Sequence, residues 1–158
     1  MTTTGNRRPE DLLAQEHRLA LPTFDEEDAL ALGSLAMQRA RAIGLPVTIE
    51  VRRGGRVAFR AALPGSAPDQ DGWVERKARV VEQSGHATLY ERVRYEAAWT
   101  TYERATGLPE SEYAAHGGGF PLTTPDGVLA GMIVVSGLPQ VEDHDFVVAC
   151  LEEHLGLV

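Results

Sequence analysis

The run Val47-Thr48-Ile49-Glu50-Val51-Arg52-Arg53-Gly54-Gly55-Arg56-Val57-Ala58-Phe59-Arg60-Ala61-Ala62-Leu63 alternates apolar and polar side chains on both sides of a glycine pair. Side chains of an extended chain point to opposite faces in turn, so two such runs around Gly-Gly predict an antiparallel hairpin with one buried face. Val47, Ile49, Val51, Val57, Phe59, Ala61 and Leu63 would make that face. The other face carries Arg52, Arg53, Arg56 and Arg60, which reads either as an anion site or as a solvated, charged edge. The solvated edge is the plainer reading.

A second hairpin follows much later. Phe120–Thr123 and Val128–Ser136 flank Thr124-Pro125-Asp126-Gly127, where Pro fixes φ and Gly tolerates the left-handed region. Val128–Val135 is apolar throughout, as expected of a central strand covered on both faces. Around the hairpins the period is helical. Pro9–Ala20 is one helix, and a second runs from Thr23 to Ile43, opened by a capping box at Thr23-Phe24-Asp25-Glu26 and stopped by Gly44 and Pro46. Its stripe, Ala29, Gly33, Ala36, Ala40 and Ile43, is made mostly of small residues, which lets a neighbour approach closely. Asp69–Ser84 and Thr88–Thr106 form a middle pair, with Trp99 and Tyr102 expected in the core. A last helix after Gln140 buries Phe146, Val147, Cys150, Leu151 and Leu155. The order α-α-β-β-α-α-β-β-α, with hairpins in place of βαβ crossovers, predicts an α+β fold: an antiparallel sheet of two hairpins with helices packed on it.

The 158 residues suit one domain, spanning residues 1–158 with 1–8 frayed, and a chain of this length buries about two thirds of its unfolded surface. A hydrophobic fraction of 43% and a mean hydropathy of −0.20 mark a globular chain. No apolar run approaches the roughly 20 residues of a membrane span, and no secretory h-region follows the polar start, so a cytoplasmic protein is expected. Cys150 is the single cysteine, which excludes an internal disulfide framework. A net charge of −8 argues against nucleic acid as a partner, because backbone binding needs clustered cations. Fourteen of the fifteen basic side chains are Arg; Lys77 is the only lysine.

Chemistry is sought first among the histidines. His17 and His154 fall on helix surfaces, and His86 in a linker. His116 precedes Gly117, Gly118 and Gly119, where backbone can approach a ligand and consecutive amides can form an anion nest; the same glycines also suit a bent strand entry. His144 sits in Glu142-Asp143-His144-Asp145. Adjacent helical positions project about 100° apart, so these four cannot converge on one ion without help. Ser136-Gly137 lacks the flanking glycine of a nucleophile elbow, since Val134 stands there. Arg76 and Lys77, after Trp73, could meet a carboxylate or propionate.

Four blocks together resemble one family. They are Thr23-Phe24-Asp25-Glu26-Glu27-Asp28-Ala29-Leu30-Ala31-Leu32-Gly33, Trp73-Val74-Glu75-Arg76-Lys77, Tyr113-Ala114-Ala115-His116-Gly117-Gly118-Gly119-Phe120-Pro121-Leu122, and Val135-Ser136-Gly137-Leu138-Pro139-Gln140 continuing to Asp143-His144 and Val147-Val148. The family is that of haem-degrading domains, related to HbpS and GlcG, and the similarity is greatest to its intracellular branch, with bacterial and fungal members. It covers residues 20–156 or so. The resemblance implies an α+β fold of this same order, a symmetric homo-oligomer, and haem binding or degradation as its relatives' activity. It makes His116, Gly117, Gly118 and Gly119 the first candidate ligand-binding residues, Arg76 and Lys77 partners for acidic groups, and His116 or His144 the iron ligand. Aromatic residues make up 6% of the chain, thin for a porphyrin slot within one subunit, so haem or another planar anionic ligand is expected at an oligomer interface. Were haem degraded, its iron would activate the oxidant and the protein would position it. The small-residue stripe and the strand Val128–Val135 are expected to need cover from a second copy. The alternatives are a non-enzymatic oligomeric interaction or sensory module, and a small-molecule enzyme without haem.

Overall fold

Four strands form one antiparallel sheet in the order β2-β1-β4-β3, in a computed structural model that describes residues 3–158. The first hairpin is β1 (Thr48–Arg53) and β2 (Arg56–Ala62); the second is β3 (Gly119–Thr123) and β4 (Leu129–Ser136). The hairpins join through β1 and β4, with Ile49 opposite Val135 and Val51 opposite Ile133. Both turns fall where they were expected, with Gly54 at φ +61° and Gly127 at φ +85°.

Helices cover both faces. On one, α2 (Glu26–Ala42) and α6 (Gln140–His154) enclose Ile49, Val51, Phe120, Leu122, Ile133 and Val135. On the other, α3 (Asp69–Ser84) lays Val74, Ala78 and Val81 on Met132 and Val134. Strand β4 is apolar at consecutive positions because it meets helices on both sides. The remaining helices are α1 (Pro9–Arg18), α4 (Thr88–Ala97) and α5 (Tyr102–Thr106). The element order is the expected one, with the second middle helix divided in two.

Several details differ from expectation. The arginine face of the first hairpin is covered only in part: α3 packs on β1 over Arg52, while Arg56 and Arg60 on the edge strand β2 stay exposed, as a charged edge would. Glu50 is buried there between Arg52 and Arg60, each at 2.7 Å; Arg52 also pairs with Glu75 and Arg60 with Asp71. The capping box of α2 is made by Asp25 and Asp28, two residues beyond Thr23 and Glu26. Ile43, expected inward, is 68% exposed. Trp99, expected in the core, is 95% exposed at φ +60°, where the chain breaks between α4 and α5; Tyr102 is buried. Residues 3–8, expected to fray, lie against α6: Arg7 grips the Asp145 carboxylate with two hydrogen bonds of 2.9 and 2.7 Å. Residues 1 and 2 of that expectation lie outside the described residues.

Most of the small-residue stripe and the second half of the long strand find their cover inside the chain. Ala29, Gly33, Ala36 and Ala40 are buried against the first hairpin, and a Cβ on Gly33 would stand 2.2 Å from the Phe59 ring. Met132–Val135 are likewise buried. Ile43 at the end of the stripe, and Val128 and Leu129 at the start of the strand run, stay exposed. Among the described residues no helix is long and apolar enough to cross a membrane.

Candidate functional site

The loop that carries His116 passes through a gap too narrow for side chains. A Cβ on Gly117 would lie 2.1 Å from the Gln140 carbonyl oxygen, and one on Gly118 would lie 2.2 Å from the Val135 oxygen and 2.8 Å from the Lys77 Nζ. Gly118 also holds φ at +130°. The Gly117 amide donates to Gln140 Oε1 at 3.2 Å and the Gly119 amide to Thr88 Oγ1 at 2.9 Å. The run is thus not an open nest of three free amides; two of them serve the packing of the loop.

Threading the loop between α3 and α6 sets His116 on the wall of a cavity of about 260 Å³. Asp69, Gln70, Trp73 and Lys77 of α3 line one side, Ser136 and Gly137 the end of β4, and Gln140 and Asp143 the first turn of α6. Lys77 is 3% exposed and Asp143 1%. The Lys77 Nζ donates to the Val135 carbonyl at 3.0 Å and to Asp143 Oδ2 at 3.2 Å, while Asp143 Oδ1 accepts the Leu138 amide at 3.1 Å. Burial pushes the Asp143 carboxyl up to about 6 and pulls the Lys77 ammonium below its ordinary range; their mutual attraction only partly offsets the lost hydration.

His116 is half-buried, its ring edge-on to Trp73 at 5.1 Å between centroids. Burial, with the nearby charges of Arg92, Lys77 and Arg76, pulls its imidazole down to about 4. It is neutral at neutral pH, the form that binds metals. Arg92 Nη1, which can only donate, lies 3.4 Å from Nε2, placing the ring proton on Nδ1.

The other candidates go elsewhere. Arg76 and Lys77 leave α3 in different directions: Arg76 stacks over Trp73 at 4.5 Å and donates to the Glu110 carbonyl, outside the cavity lining. His144 is fully buried, with Nε2 2.9 Å from Gln15 Oε1, and it does not line the cavity. Its Nδ1 has no partner among the described residues, and burial pulls the ring down to about 4. Among the described residues no three His, Cys, Asp or Glu side chains are grouped to hold a metal ion. The carboxylate of Asp143 and the polar wall of Gln70 and Ser136 were not marked as site residues by the sequence.

Both buried histidines titrate in the folded protein near 4 against an ordinary value of 6.5. Between these values the unfolded chain binds more protons, so their contribution to stability is lost as pH falls through the window. Asp143, raised to about 6 from 3.8, and Glu91, also raised by burial, act oppositely. The melting temperature of the wild type is therefore expected to fall relative to that of His144→Leu as pH drops from 6.5 to 4. Parallel profiles for the two proteins would contradict the burial of that ring.

The chain belongs to the haem degrading protein HbpS-like family, whose profile matches residues 24–152. It is 49% identical over 145 residues to the UPF0303 protein of Streptomyces avermitilis, covering 92% of this chain and 89% of that one. The crystal structure of Ybr137w protein superposes with a TM-score of 0.85 at 29% identity, covering 94% of this chain and 88% of the other. A PduOC:heme complex superposes at 0.65 with 22% identity, covering 83% and 94%; that likeness is one of fold.

Proposed function

We propose that this chain binds a planar anionic ligand, haem foremost, at the His116 cavity, and does so in the cytoplasm as a homo-oligomer. The observation that carries the reading is the neutral His116 imidazole on the wall of a cavity, edge-on to Trp73, in a member of an HbpS-like family. Haem iron takes a neutral histidine as an axial ligand. His116 would take iron only by giving up its contact with Arg92, which holds Nε2 while the proton sits on Nδ1, and about 260 Å³ lies below the roughly 300–1,000 Å³ of small-molecule sites. Only an edge of the porphyrin enters one chain on this reading, and a second copy covers the rest. Lys77 is the cation among the lining residues and already pairs with Asp143, while Arg76, stacked on Trp73, would meet acidic substituents only from outside the lining. When bound, haem would supply iron for activating an oxidant; His116 would hold it and the buried Lys77–Asp143 pair would keep the cavity floor in place. Titration of the purified protein with haemin is expected to give a saturable Soret shift at micromolar concentration, and no shift at that concentration would refute the proposal.

A second reading, a non-enzymatic interaction module, is favoured by Trp99, a large apolar side chain held 95% exposed on left-handed backbone. A single stoichiometric partner lost in Trp99→Ala, together with a silent haemin titration, would support it over the first.

A further inference from the structure

We propose that Lys77 is an amine nucleophile that captures small aldehydes as imines in the His116 cavity, with Asp143 as its proton partner. The inference goes beyond the haem reading and does not rest on it.

Composition and place together single out this residue. Arg supplies every other basic side chain, and the one lysine stands where a cation is buried against a cavity. A guanidinium would pair with a carboxylate through two parallel hydrogen bonds and would never give up its proton; an amine pairs less well but can become a nucleophile. What distinguishes Lys from Arg here is therefore chemistry that only a deprotonated nitrogen performs.

The geometry supplies the rest. The Val135 carbonyl and Asp143 Oδ2 take two of the three ammonium hydrogens, at 3.0 and 3.2 Å, and Lys77 is among the residues that line the cavity. The loop above is cut back to glycine at Gly118, where a Cβ would come within 2.8 Å of Nζ. The Leu138 amide fixes the far oxygen of Asp143, so the near one stays aimed at the amine. Burial, which disfavours the ammonium and favours the protonated carboxyl, eases transfer between them.

The step balances without an oxidant or reductant. Asp143 takes a proton from the Lys77 ammonium, and the nitrogen lone pair forms a bond to the aldehyde carbon as the C=O π pair moves to oxygen. A proton passes from nitrogen to that oxygen, giving a carbinolamine. Asp143 returns its proton to the hydroxyl, which leaves as water while C=N forms. The product is a protonated imine beside the Asp143 carboxylate, the same charge pair as before. A cavity of about 260 Å³ limits the substrate to aldehydes of a few carbons, and Gln70 and Ser136 favour polar ones.

The test uses the intact chain with glyceraldehyde and cyanoborohydride at neutral pH, followed by peptide mass mapping. The chain carries two kinds of amine, Lys77 and the α-amine, so the α-amine is an internal reference. Its ordinary value near 8 against about 10.4 for an unperturbed lysine gives it a head start of roughly 250-fold in free amine. The proposal expects Lys77 to be modified faster than the α-amine in the folded protein, and slower than it in urea, where the site is gone. In Asp143→Asn, shown to be folded by its circular dichroism, modification of Lys77 should slow at least about tenfold, the range of a lost general acid–base. Lys77 left unmodified, or modified no faster folded than in urea, overturns the proposal whatever the variant does. The haemin titration reads a different signal, so failure of one reading is distinguishable from failure of the other.

Discussion

Asp143→Ala is expected to lower folding stability by about 3–5 kcal/mol, because it leaves the Lys77 ammonium buried without a counter-charge. The carboxylate and the ammonium are both nearly inaccessible, and the pair ties the start of α6 to α3 and to the end of β4. The Val135 carbonyl alone cannot replace a charge. The loss should shrink as pH rises, because burial makes Lys77 easier to deprotonate than an ordinary lysine. The double substitution Lys77→Met with Asp143→Leu should cost far less than Asp143→Ala, since removing both charges removes the desolvation penalty as well. Urea denaturation of the three proteins measures this directly. A loss under about 1 kcal/mol for Asp143→Ala, the scale of an exposed ion pair, would show that water reaches the pair.

Gly118→Ala is the second large effect. Its φ of +130° is nearly closed to other residues, and the new Cβ would overlap the Val135 carbonyl oxygen at 2.2 Å. That oxygen is backbone of a central strand, and the Val135 amide already donates to the Gly118 carbonyl at 2.9 Å, so neither partner can retreat cheaply. Strain of about 1–3 kcal/mol adds to overpacking of similar size, giving roughly 2–6 kcal/mol. Gly85→Ala is the matching control. It too has positive φ, at +73°, but a Cβ there meets nothing within 4 Å, so its cost should stay near the backbone strain of about 1 kcal/mol. Equal losses in thermal melts of the two variants would contradict the tight passage of the loop.

The sheet was legible because its signals are local. Alternation around Gly54-Gly55 and the turn at Pro125-Asp126-Gly127 are written in consecutive residues, and the unbroken apolar run of β4 announced helices on both faces. What the sequence misled on depends on neighbours far along the chain. Arg52 alternates as a solvated residue would, yet it is mostly buried, and Glu50 and Glu75 take its charge. Two acidic capping patterns overlap at the start of α2, and nothing local prefers Asp25–Asp28 to Thr23–Glu26. The break after Ala97 is sealed by Thr101, whose hydroxyl caps α5 by accepting the Arg104 amide; the apolar spacing through Tyr102 carries no trace of it.

The site follows the same division. His116 and Lys77 were legible as residue types, one beside a glycine run and one after Trp73. Their meeting with Asp143 was not, since Asp143 lies 66 positions from Lys77 and its helix-start location already explained an acidic residue. The solitary lysine in an arginine-rich chain was the available signal. His144 illustrates the reverse: its acidic neighbours suggested an ion, but helix α6 turns the ring into the core toward Gln15.

The central claim, that the His116 cavity is the ligand site, is tested most directly by titrating haemin into wild type and His116→Ala side by side while following the Soret band. The account predicts saturation of the wild type at micromolar haemin and a midpoint displaced at least about tenfold in the variant, equivalent to 1.4 kcal/mol. Superimposable curves from two equally folded proteins would contradict it.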